Sequence, residues 1–302
     1  MTNRLFLFYW EERHPKTSVG GVSLYDLINN FNIGGDKMLI VGENISVTSK
    51  IVGESIRNRD ARPIVEMAKA QKEAGAHYVD VNIGPATKNG EELMQWVVRT
   101  IQDSVDVHLA LDTKNMSAME AGLAVHKGTA MINSVTGDQD KLDILMPMAK
   151  KYNAKIVGIA LSEKGVPPDV DSRIEVIMNI INSAMEHGVP LSDLYLDPIV
   201  LPVAVLQQQV LNCIEGLKAF KQLKDIMGLP EDPKTIVGLS NVSQSSPPEL
   251  KSLLNSTYLV ILLAHGLDSA ILDPLDKELM NAVKTFDILT NRILYAHSYL
   301  EK

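Results

Sequence analysis

Acidic, amide and hydroxyl side chains follow most of the short apolar runs of this sequence, at the points where predicted strands end. They are Glu43, Asn44, Asp80, Asn82, Asp112, Asn133, Ser134, Asp197, Ser240, Asn241 and Asp273. A carboxylate can accept two parallel N–H bonds, and a carboxamide can donate and accept at once. Such a set suits a flat ring that presents several N–H donors. A phosphate would be poorly served, because no Gly-rich loop or basic clamp is visible.

The chain from Met38 onward has a pattern that would bring these strand ends together. Short apolar runs alternate with longer amphipathic stretches, as they do in strand–helix units around a parallel sheet. The predicted strands are 39–41, 78–82, 108–111, 130–133, 155–160, 194–196, 235–239 and 269–272. Eight strand–helix pairs predict a single-domain (β/α)₈ (TIM) barrel, whose post-strand loops all face one opening.

The helical segments between these strands are predicted at 62–74, 91–104, 117–126, 141–151, 171–186, 207–227 and 248–265, followed by a final segment, 276–300. A glycine closely follows several of them, as expected at helix ends: Gly75, Gly128, Gly188, Gly228 and Gly266. No Gly-x-Gly-x-x-Gly motif follows the first strand, which disfavours a dinucleotide-binding sheet. Residues 1–37 are predicted to be an appendage, without a catalytic role, to a domain over 38–302.

Composition and net charge limit the kinds of molecule to which this protein could bind. The chain has 302 residues, of which 45% are hydrophobic and 22% charged, and its formal net charge is −8. This charge argues against nucleic acid, whose phosphates must be neutralised by Lys and Arg. We expect no membrane association, since the chain has neither a Lys/Arg-rich block nor an apolar run long enough to span a bilayer.

The single cysteine, Cys213, limits the metal chemistry of the chain. One thiol cannot build a disulfide framework, a Cys-type zinc site or an iron–sulfur cluster, and no Cys/His cluster has metal-ligand spacing. We therefore expect no bound metal and a small apolar role for this residue in a helix. Nothing requires an oxidising compartment, so a cytoplasmic location is predicted.

Each polar strand-end residue also has an ordinary structural alternative. Asp112 could cap the next helix, and Asn133 and Asn241 could line turns. Asp197 precedes Pro198, where a strand would stop in any case. Several such residues at strand ends are harder to explain in this way, and the 2-amino-4-oxo edge of a pterin would suit the set. From the residues alone, the prediction is a barrel with a polar, acidic mouth.

Ordered motifs extend this prediction over nearly the whole barrel. They are Met38-Leu-Ile-Val-Gly-Glu43, Tyr78-Val-Asp-Val-Asn-Ile-Gly84, Leu109-Ala-Leu-Asp-Thr113, Lys127-Gly-Thr-Ala-Met-Ile-Asn-Ser134, Leu196-Asp-Pro198, Gly238-Leu-Ser-Asn-Val-Ser243 and Ala270-Ile-Leu-Asp-Pro-Leu-Asp-Lys277. In these motifs the chain resembles the methyltetrahydrofolate:corrinoid/iron–sulfur protein methyltransferases of the acetyl-CoA pathway. That group belongs with the pterin-binding domain of cobalamin-dependent methionine synthase and, more distantly, with dihydropteroate synthase.

The resemblance implies roles for eight of these residues. Those that would bind the pterin are Asp80, Asn82, Asp112, Asn133, Asp197, Gly238 and Ser240. Asn241 would approach N5, the nitrogen that bears the methyl group, and would be the catalytic residue. An amine leaves poorly unless its nitrogen gains a proton or a hydrogen bond. Because no His, Lys or Tyr lies at these strand ends, we expect catalysis mainly by positioning and hydrogen bonding.

The resemblance also implies the partners. Methyltetrahydrofolate would be the methyl donor and Co(I) of a corrinoid the acceptor. The corrinoid (cobalamin) would arrive on a corrinoid/iron–sulfur protein, because this sequence has no Asp-x-His-x-x-Gly corrinoid motif. A homodimer is implied as well. Two alternatives stay open: a dihydropteroate synthase, which would want basic residues after strands seven and eight, and a non-catalytic folate-binding subunit of another corrinoid system.

Overall fold

Strands that are buried on both faces of a parallel sheet tend to be continuously apolar, and such runs form a closed barrel here. A computed structural model of the chain describes residues 37–86 and 88–296. The strands pair in chain order, each parallel to the next, and the last pairs with the first. They are β1 (Leu39–Ser46), β2 (Tyr78–Asn82), β3 (His108–Asp112), β4 (Met131–Val135), β5 (Lys155–Ile159), β6 (Leu194–Asp197), β7 (Lys234–Gly238) and β8 (Ser269–Leu272). The predicted TIM barrel is confirmed.

Helices follow the strands and cover the outside of the barrel. They are α1 (Lys50–Asn58), α2 (Ala61–Glu73), α3 (Gly90–Gln102), α4 (Met116–Val125), α5 (Gln139–Tyr152), α6 (Val170–Glu186), α7 (Gln207–Phe220), α8 (Leu223–Met227), α9 (Pro248–Ala264) and α10 (Lys277–Leu289). Short 3-10 turns precede β6 (Leu191–Asp193) and follow β7 (Leu239–Ser243). Within the described ranges, no helix is both long and apolar enough to cross a bilayer.

Most predicted boundaries are close to the observed ones, but three differ for physical reasons. The prediction assigned no element to α1, a short helix that contains Gly53; a Cβ at that position would lie 2.3 Å from the backbone oxygen of Val47. The predicted helix 207–227 is two helices, α7 and α8. Strand β1 continues to Ser46, well past its predicted end, because polar residues at a bulge interrupt its apolar run.

The chain ends fall partly outside the described residues. Of the predicted appendage, residues 1–36 lie outside them, as do residues 297–300 of the predicted final segment. Helix α10 ends at Leu289, earlier than that segment predicted. The five glycines predicted after helices all have positive φ, from 64° at Gly228 to 106° at Gly75, which is the left-handed conformation expected at a helix end.

Apolar clusters in two layers hold the elements in place. The outer layer, made of two clusters, lies between the strands and the surrounding helices and includes Cys213, which is buried in α7 and has the apolar helix position expected for it. The inner layer fills the barrel with side chains: Val41, Tyr78, Ala110, Met131, Val157, Tyr195 and Ile236. This layer separates the two ends of the barrel, so that a ligand at one end cannot contact the other.

Helices α3 and α4 approach closely at Gly122. A Cβ there would lie 2.5 Å from Met94 Cγ and 2.9 Å from Leu111 Cδ1. Replacing glycine by alanine in an exposed helix interior normally stabilises the helix by about 1 kcal/mol. Overpacking a core, in contrast, costs about 1–3 kcal/mol. We therefore expect Gly122→Ala to lower the free energy of unfolding by about 1 kcal/mol or more in urea titrations. Ser117→Ala, at an exposed position of α4, is the control; a Gly122→Ala variant more stable than the parent would contradict this packing.

Candidate active site

Strand register brings the first set of predicted site residues together at the carboxyl ends of the strands. Asn82, Asp112 and Asn133 are register partners across β2, β3 and β4. Asp80 lies one inward-facing position below Asn82 and is 5% exposed, and its Oδ1 accepts a hydrogen bond of 2.9 Å from Asn133 Nδ2. The four residues therefore form one cluster, as the sequence predicted for the barrel mouth.

Asp112 is part of this cluster and does not cap a helix. Its Oδ2 accepts a hydrogen bond from Asn82 Nδ2, while Asn82 Oδ1 accepts from the backbone N–H of Gly84 at 2.9 Å. The capping role that Asp112 could have had belongs to Asn115, whose side chain accepts from the backbone N–H of Ala118 at 3.1 Å. Both carboxylates of the cluster are thus oriented by carboxamides and not by cations.

A third carboxylate, Glu43, joins the ends of distant strands. Register moves from Gly42↔Val79 to Ile45↔Val81, so Glu43 and the residue after it form a bulge in β1. The bulge directs Glu43 to Ser240, whose hydroxyl donates to Glu43 Oε1. The sequence placed Glu43 among the strand-end acids but gave it no role. Its contact with Ser240 depends on a bulge that no local pattern reveals.

Asp197 lies on the other side of the mouth, at the end of β6, and is 6% exposed. Its Oδ1 accepts a hydrogen bond of 2.7 Å from the backbone N–H of Ile199, and it also accepts from the Gly238 backbone. The structural role considered for Asp197 is therefore present, since the carboxylate orders the chain after β6. Gly238, a predicted site residue, contributes its backbone to the same contact.

Arg173 of α6 lies beneath this side of the mouth, fully buried, and sequence reasoning missed it. It donates to the backbone oxygen of Pro198 at 2.7 Å and to Gln209 Oε1, and its charge favours the ionised form of Asp197. The usable signal was its place on the buried stripe of α6, at helical spacing from Ile177 and Ile180. A cation on such a stripe needs acceptors nearby.

Asn241 occupies the 3-10 turn after β7, where it is exposed. In the part of the chain that the structure describes, its carboxamide has no hydrogen-bond partner, so it is free to contact a ligand. A Cβ on Gly238 would lie 3.2 Å from Asn241 Nδ2, tighter than most real contacts. Gly238 therefore leaves space for the carboxamide to lie over the end of β7.

Burial raises the pKa values of four carboxyls at the mouth, and a neighbouring acid raises those of Asp80 and Glu43 further. Desolvation raises the pKa of Asp112 to about 6, against the opposing effects of Asn82 and Lys114, and that of Asp197 to about 7. Desolvation and then the Asp112 charge hold the pKa of Asp80 well above its usual range. For Glu43, desolvation outweighs the Ser240 hydrogen bond and raises the pKa. N–H donors of a ligand would offset the cost of ionising these buried carboxyls.

The mouth can therefore do two things. Its carboxylate oxygens can accept several N–H donors, while its carboxamides and hydroxyl can complement mixed donor and acceptor edges. In residues 37–86 and 88–296, no group of three His, Cys, Asp or Glu side chains is arranged to hold a metal ion.

Comparison with known families agrees with this geometry. A family model described as "Pterin binding enzyme" matches residues 43–273, from one mouth residue to another. The chain belongs to this family. Among curated relatives, a methylcorrinoid:tetrahydrofolate methyltransferase of Eubacterium limosum is 28% identical over 254 residues, covering 83% of this chain and 91% of that protein.

Other relatives share the domain or only the fold. Methionine synthases of Mycobacterium leprae and Mycobacterium tuberculosis are 26% and 25% identical over 86% and 78% of this chain, which spans only 22% and 20% of their lengths. A dihydropteroate synthase structure from Yersinia pestis superposes with a TM-score of 0.62 at 16% identity, covering 92% of this chain and 99% of that one. A dihydropteroate synthase structure from Clostridium difficile, determined with pteroic acid, superposes with a TM-score of 0.64 at 19% identity, covering 84% of this chain and 97% of that one. These structures establish the shared barrel.

If these carboxyls accept pterin N–H bonds, as predicted, their raised pKa values should make pterin binding pH-dependent. An ionised carboxylate accepts N–H bonds better than a neutral carboxyl does, so binding would favour loss of the proton from each such carboxyl. With Asp197 at a pKa of about 7 and Asp112 at about 6, we expect methyltetrahydrofolate affinity to rise with pH through this range and level off above it. Below the range, the loss should approach about tenfold per pH unit for each proton taken up.

Calorimetric titration of methyltetrahydrofolate across this pH range is the measurement. Asp197→Asn should bind more weakly and lose the upper part of the pH dependence, because an amide cannot ionise. Asp225→Asn, at an exposed position of α8, is the matched control and should keep the parent profile. An affinity that is flat with pH in the parent would contradict the assignment of these acids to the pterin.

Proposed function

We propose that this chain transfers a methyl group between N5 of methyltetrahydrofolate and the cobalt of a corrinoid that a separate protein presents. The observation that carries the proposal is the exposed Asn241 carboxamide, which has no hydrogen-bond partner among the described residues, at the rim of a mouth lined by carboxylates and carboxamides. Membership of the pterin-binding family supports a pterin as the ligand of that mouth. The E. limosum relative, of similar length, supports a corrinoid as the methyl partner.

The pterin would lie across the mouth with its N–H edge on the acids. One carboxylate oxygen of Asp112 takes no part in the hydrogen bond with Asn82, and one of Asp197 takes no part in the hydrogen bond with Ile199. Asn133, held by Asp80, offers its carbonyl oxygen to a further ring donor. In this pose the layer of apolar side chains inside the barrel lies beneath the ligand, and N5 faces the rim.

Transfer from folate then follows as a displacement in which electrons and protons balance. The N5–CH₃ bond breaks with its electron pair remaining on N5, while Co(I) supplies the pair of the new bond and becomes methyl-Co(III). A proton taken up by N5 beforehand stays there, so that the product is a neutral secondary amine. Asn241 stabilises the protonated N5 more than the neutral amine when its carbonyl oxygen accepts that N–H.

The acids of the mouth provide the proton without a conventional acid residue. Burial, and then the neighbouring Asp112 charge, hold the pKa of Asp80 well above its usual range, so this carboxyl can keep a proton while Asp112 and Asp197 are ionised against the pterin. Ordinary carboxyls, with a pKa near 4, would be fully ionised under the same conditions. A network of carboxyls and water can therefore supply the proton to N5 and recover it in the reverse direction.

The corrinoid protein would dock on the open side of the mouth. Only residues 113–115 separate β3 from α4, and only residues 136–138 separate β4 from α5, whereas residues 160–169 and 198–206 follow β5 and β6. The rim is therefore low beside β3 and β4, where a large planar macrocycle could approach. We propose a corrinoid/iron–sulfur protein as this partner, in the acetyl-CoA pathway and in the cytoplasm.

A homodimer is part of the proposal and rests on an exposed apolar face of helix α9. Helix α9 leaves Leu250, Leu253, Val260 and Ile261 between 37% and 54% exposed. Apolar side chains gathered on one helix favour association, because their burial removes apolar area from water. Sedimentation at micromolar concentration would test the dimer independently of catalysis.

The decisive assay mixes the protein, methyltetrahydrofolate and a reduced corrinoid protein without oxygen and follows the conversion of Co(I) to methyl-Co(III) spectroscopically. We expect Asn241→Ala to lower the rate by more than about tenfold, the loss of one transition-state hydrogen bond, with weaker folate binding besides. Gln244→Ala, an exposed neighbour on the same loop, is the control and should react normally.

The alternative functions predict different outcomes in the same assay. A normal rate for Asn241→Ala would refute its catalytic role. No transfer by the parent protein, to corrinoid protein or to free Co(I) cobalamin, would favour a non-catalytic folate-binding subunit. Incorporation of labelled p-aminobenzoate would favour a dihydropteroate synthase.

A further inference from the structure

A second polar cavity, of about 300 Å³, lies at the end of the barrel opposite the mouth. Its lining comes from the amino ends of strands and from chain segments beside them, and we call it the basal cavity. The charged residues that line it are Lys37, Lys221, Asp232, Lys234, Asp268 and Arg292. The interior layer of the barrel closes it off from the pterin site, and Tyr195 belongs to both. Its function is therefore separate from that of the mouth.

One of its acids is already neutralised within the protein. Asp268 accepts from Lys221 Nζ at 3.0 Å, and its Oδ2 accepts from both the backbone N–H and the hydroxyl of Thr235 at 2.8 Å. Gly266 packs against the Lys221 stem, since a Cβ there would lie 3.7 Å from Lys221 Cγ. Lys221 and Asp268 therefore form a rigid wall and leave the other charges to determine what the cavity binds.

The remaining cations outnumber the acids of the lining, and among the residues that the structure describes Arg292 has one ion-pair partner, Asp287, whose carboxylate is also stabilised by the Lys37 charge. In the described part of the chain, neither Lys37 nor Lys234 lies within ion-pair distance of a carboxylate. The Arg292 side chain is only 6% exposed, and its closest carboxylate oxygen, on Asp287, is 3.8 Å from Nη1. Its Nε is buried without a hydrogen-bond partner among the described residues. A buried guanidinium N–H without an acceptor is costly, so this arrangement calls for an anion.

The backbone places Arg292 in this position. Asn291 adopts a left-handed φ of 58° after α10, and the chain then folds back so that the Arg292 N–H donates to the backbone oxygen of Asp287 at 2.8 Å. The guanidinium also lies over the Phe286 ring, 5.1 Å from its centroid. The backbone turn and the contact with Phe286 together hold the side chain at the cavity wall.

Asp232 adds an opposite requirement. Its Oδ1 is buried in the cavity lining and, among the described residues, has no donor. A carboxylate beside an anion site repels simple anions, unless the anion brings a hydrogen-bond donor of its own. The cavity thus presents donors and cations together with one acceptor that needs a hydrogen-bond donor.

We propose that the basal cavity binds a small oxyanion that also carries a hydroxyl group. Its anionic oxygens would contact Arg292 and Lys234, and its O–H would donate to Asp232. Hydrogen phosphate is the smallest ion with this chemistry, and a hydroxy acid with two carboxylates is the carboxylic counterpart. The proposal does not depend on the methyltransferase function.

Two pairs of anions test the contribution of the hydroxyl group, because one member of each pair lacks it. The affinity of each anion is measured by calorimetric titration of the full chain. At a pH where both are dianions, hydrogen phosphate should bind about tenfold or more tightly than sulfate, which has no proton to donate. Malate should likewise bind more tightly than succinate if carboxylate ligands are accepted. A preference confined to one pair identifies the anion as a phosphate or as a carboxylate. Equal binding within both pairs, or no binding by any probe, would overturn the proposal.

Variants then locate the binding. Lys234→Met should weaken binding of the preferred probe by about tenfold, and Arg292→Met by more, because its donors are buried. Asp232→Asn should remove the preference for the hydroxyl-bearing probe. Lys224→Met, which removes an exposed cation of α8 outside the cavity, should bind as the parent does.

A last set of measurements distinguishes binding in the basal cavity from binding at the mouth. Saturating the mouth with methyltetrahydrofolate should leave probe affinity unchanged, and so should Asn133→Ala at the pterin site. Displacement of the probe by folate, or unchanged binding in both Lys234→Met and Asp232→Asn, would place it elsewhere and refute the basal site. A failure of folate binding itself would bear only on the proposed function.

Discussion

The mouth of the barrel is organised around the cost of burying carboxylates, which in the described part of the chain accept no hydrogen bond from a Lys or Arg side chain. Desolvation raises the pKa values of Asp80, Asp112, Asp197 and Glu43, and for Asp80 and Glu43 a neighbouring acid raises it further. Carboxamides, a hydroxyl and backbone N–H groups relieve part of this cost. The remaining part is relieved only when a ligand brings donors, so the fold stores a preference for N–H-rich ligands in the unliganded site.

This preference requires accurate register as well as suitable residue types. Asn82, Asp112 and Asn133 reach the same level of the mouth because three strands pair without a shift at that point. Glu43 reaches Ser240 only because β1 bulges after Gly42. A shift of one residue in any of these strands would turn its polar side chain toward the helices, where burial without a partner is costly. The helix packing that stabilises the barrel therefore also sets the geometry of the site.

The sequence predicted what depends on local periodicity and missed what depends on distant contacts. Apolar runs gave eight strands, and the polar residues that follow them gave the mouth, because strand ends in a parallel barrel necessarily converge. The Glu43–Ser240 hydrogen bond joins residues 197 apart and could not be inferred from spacing. Arg173 was hidden by its charge on an otherwise apolar stripe, and α1 by its short length and its glycine. The assignment of Asn241 to catalysis stays a prediction.

The acids of the mouth also bear on how an amine could leave without a dedicated acid residue. A negative potential in a low-dielectric pocket favours positive charge on any group placed there, and protonated N5 is such a group. The same carboxylates that accept pterin N–H bonds would therefore raise the basicity of N5, and Asn241 would need only to orient the proton. A cation in their place would bind the folate carboxylates well but would oppose protonation of N5. Under the proposed function, a mouth rich in acids and amides would serve recognition and chemistry through one electrostatic field, which fits the fact that its carboxylates accept hydrogen bonds from amides, a hydroxyl and backbone N–H groups.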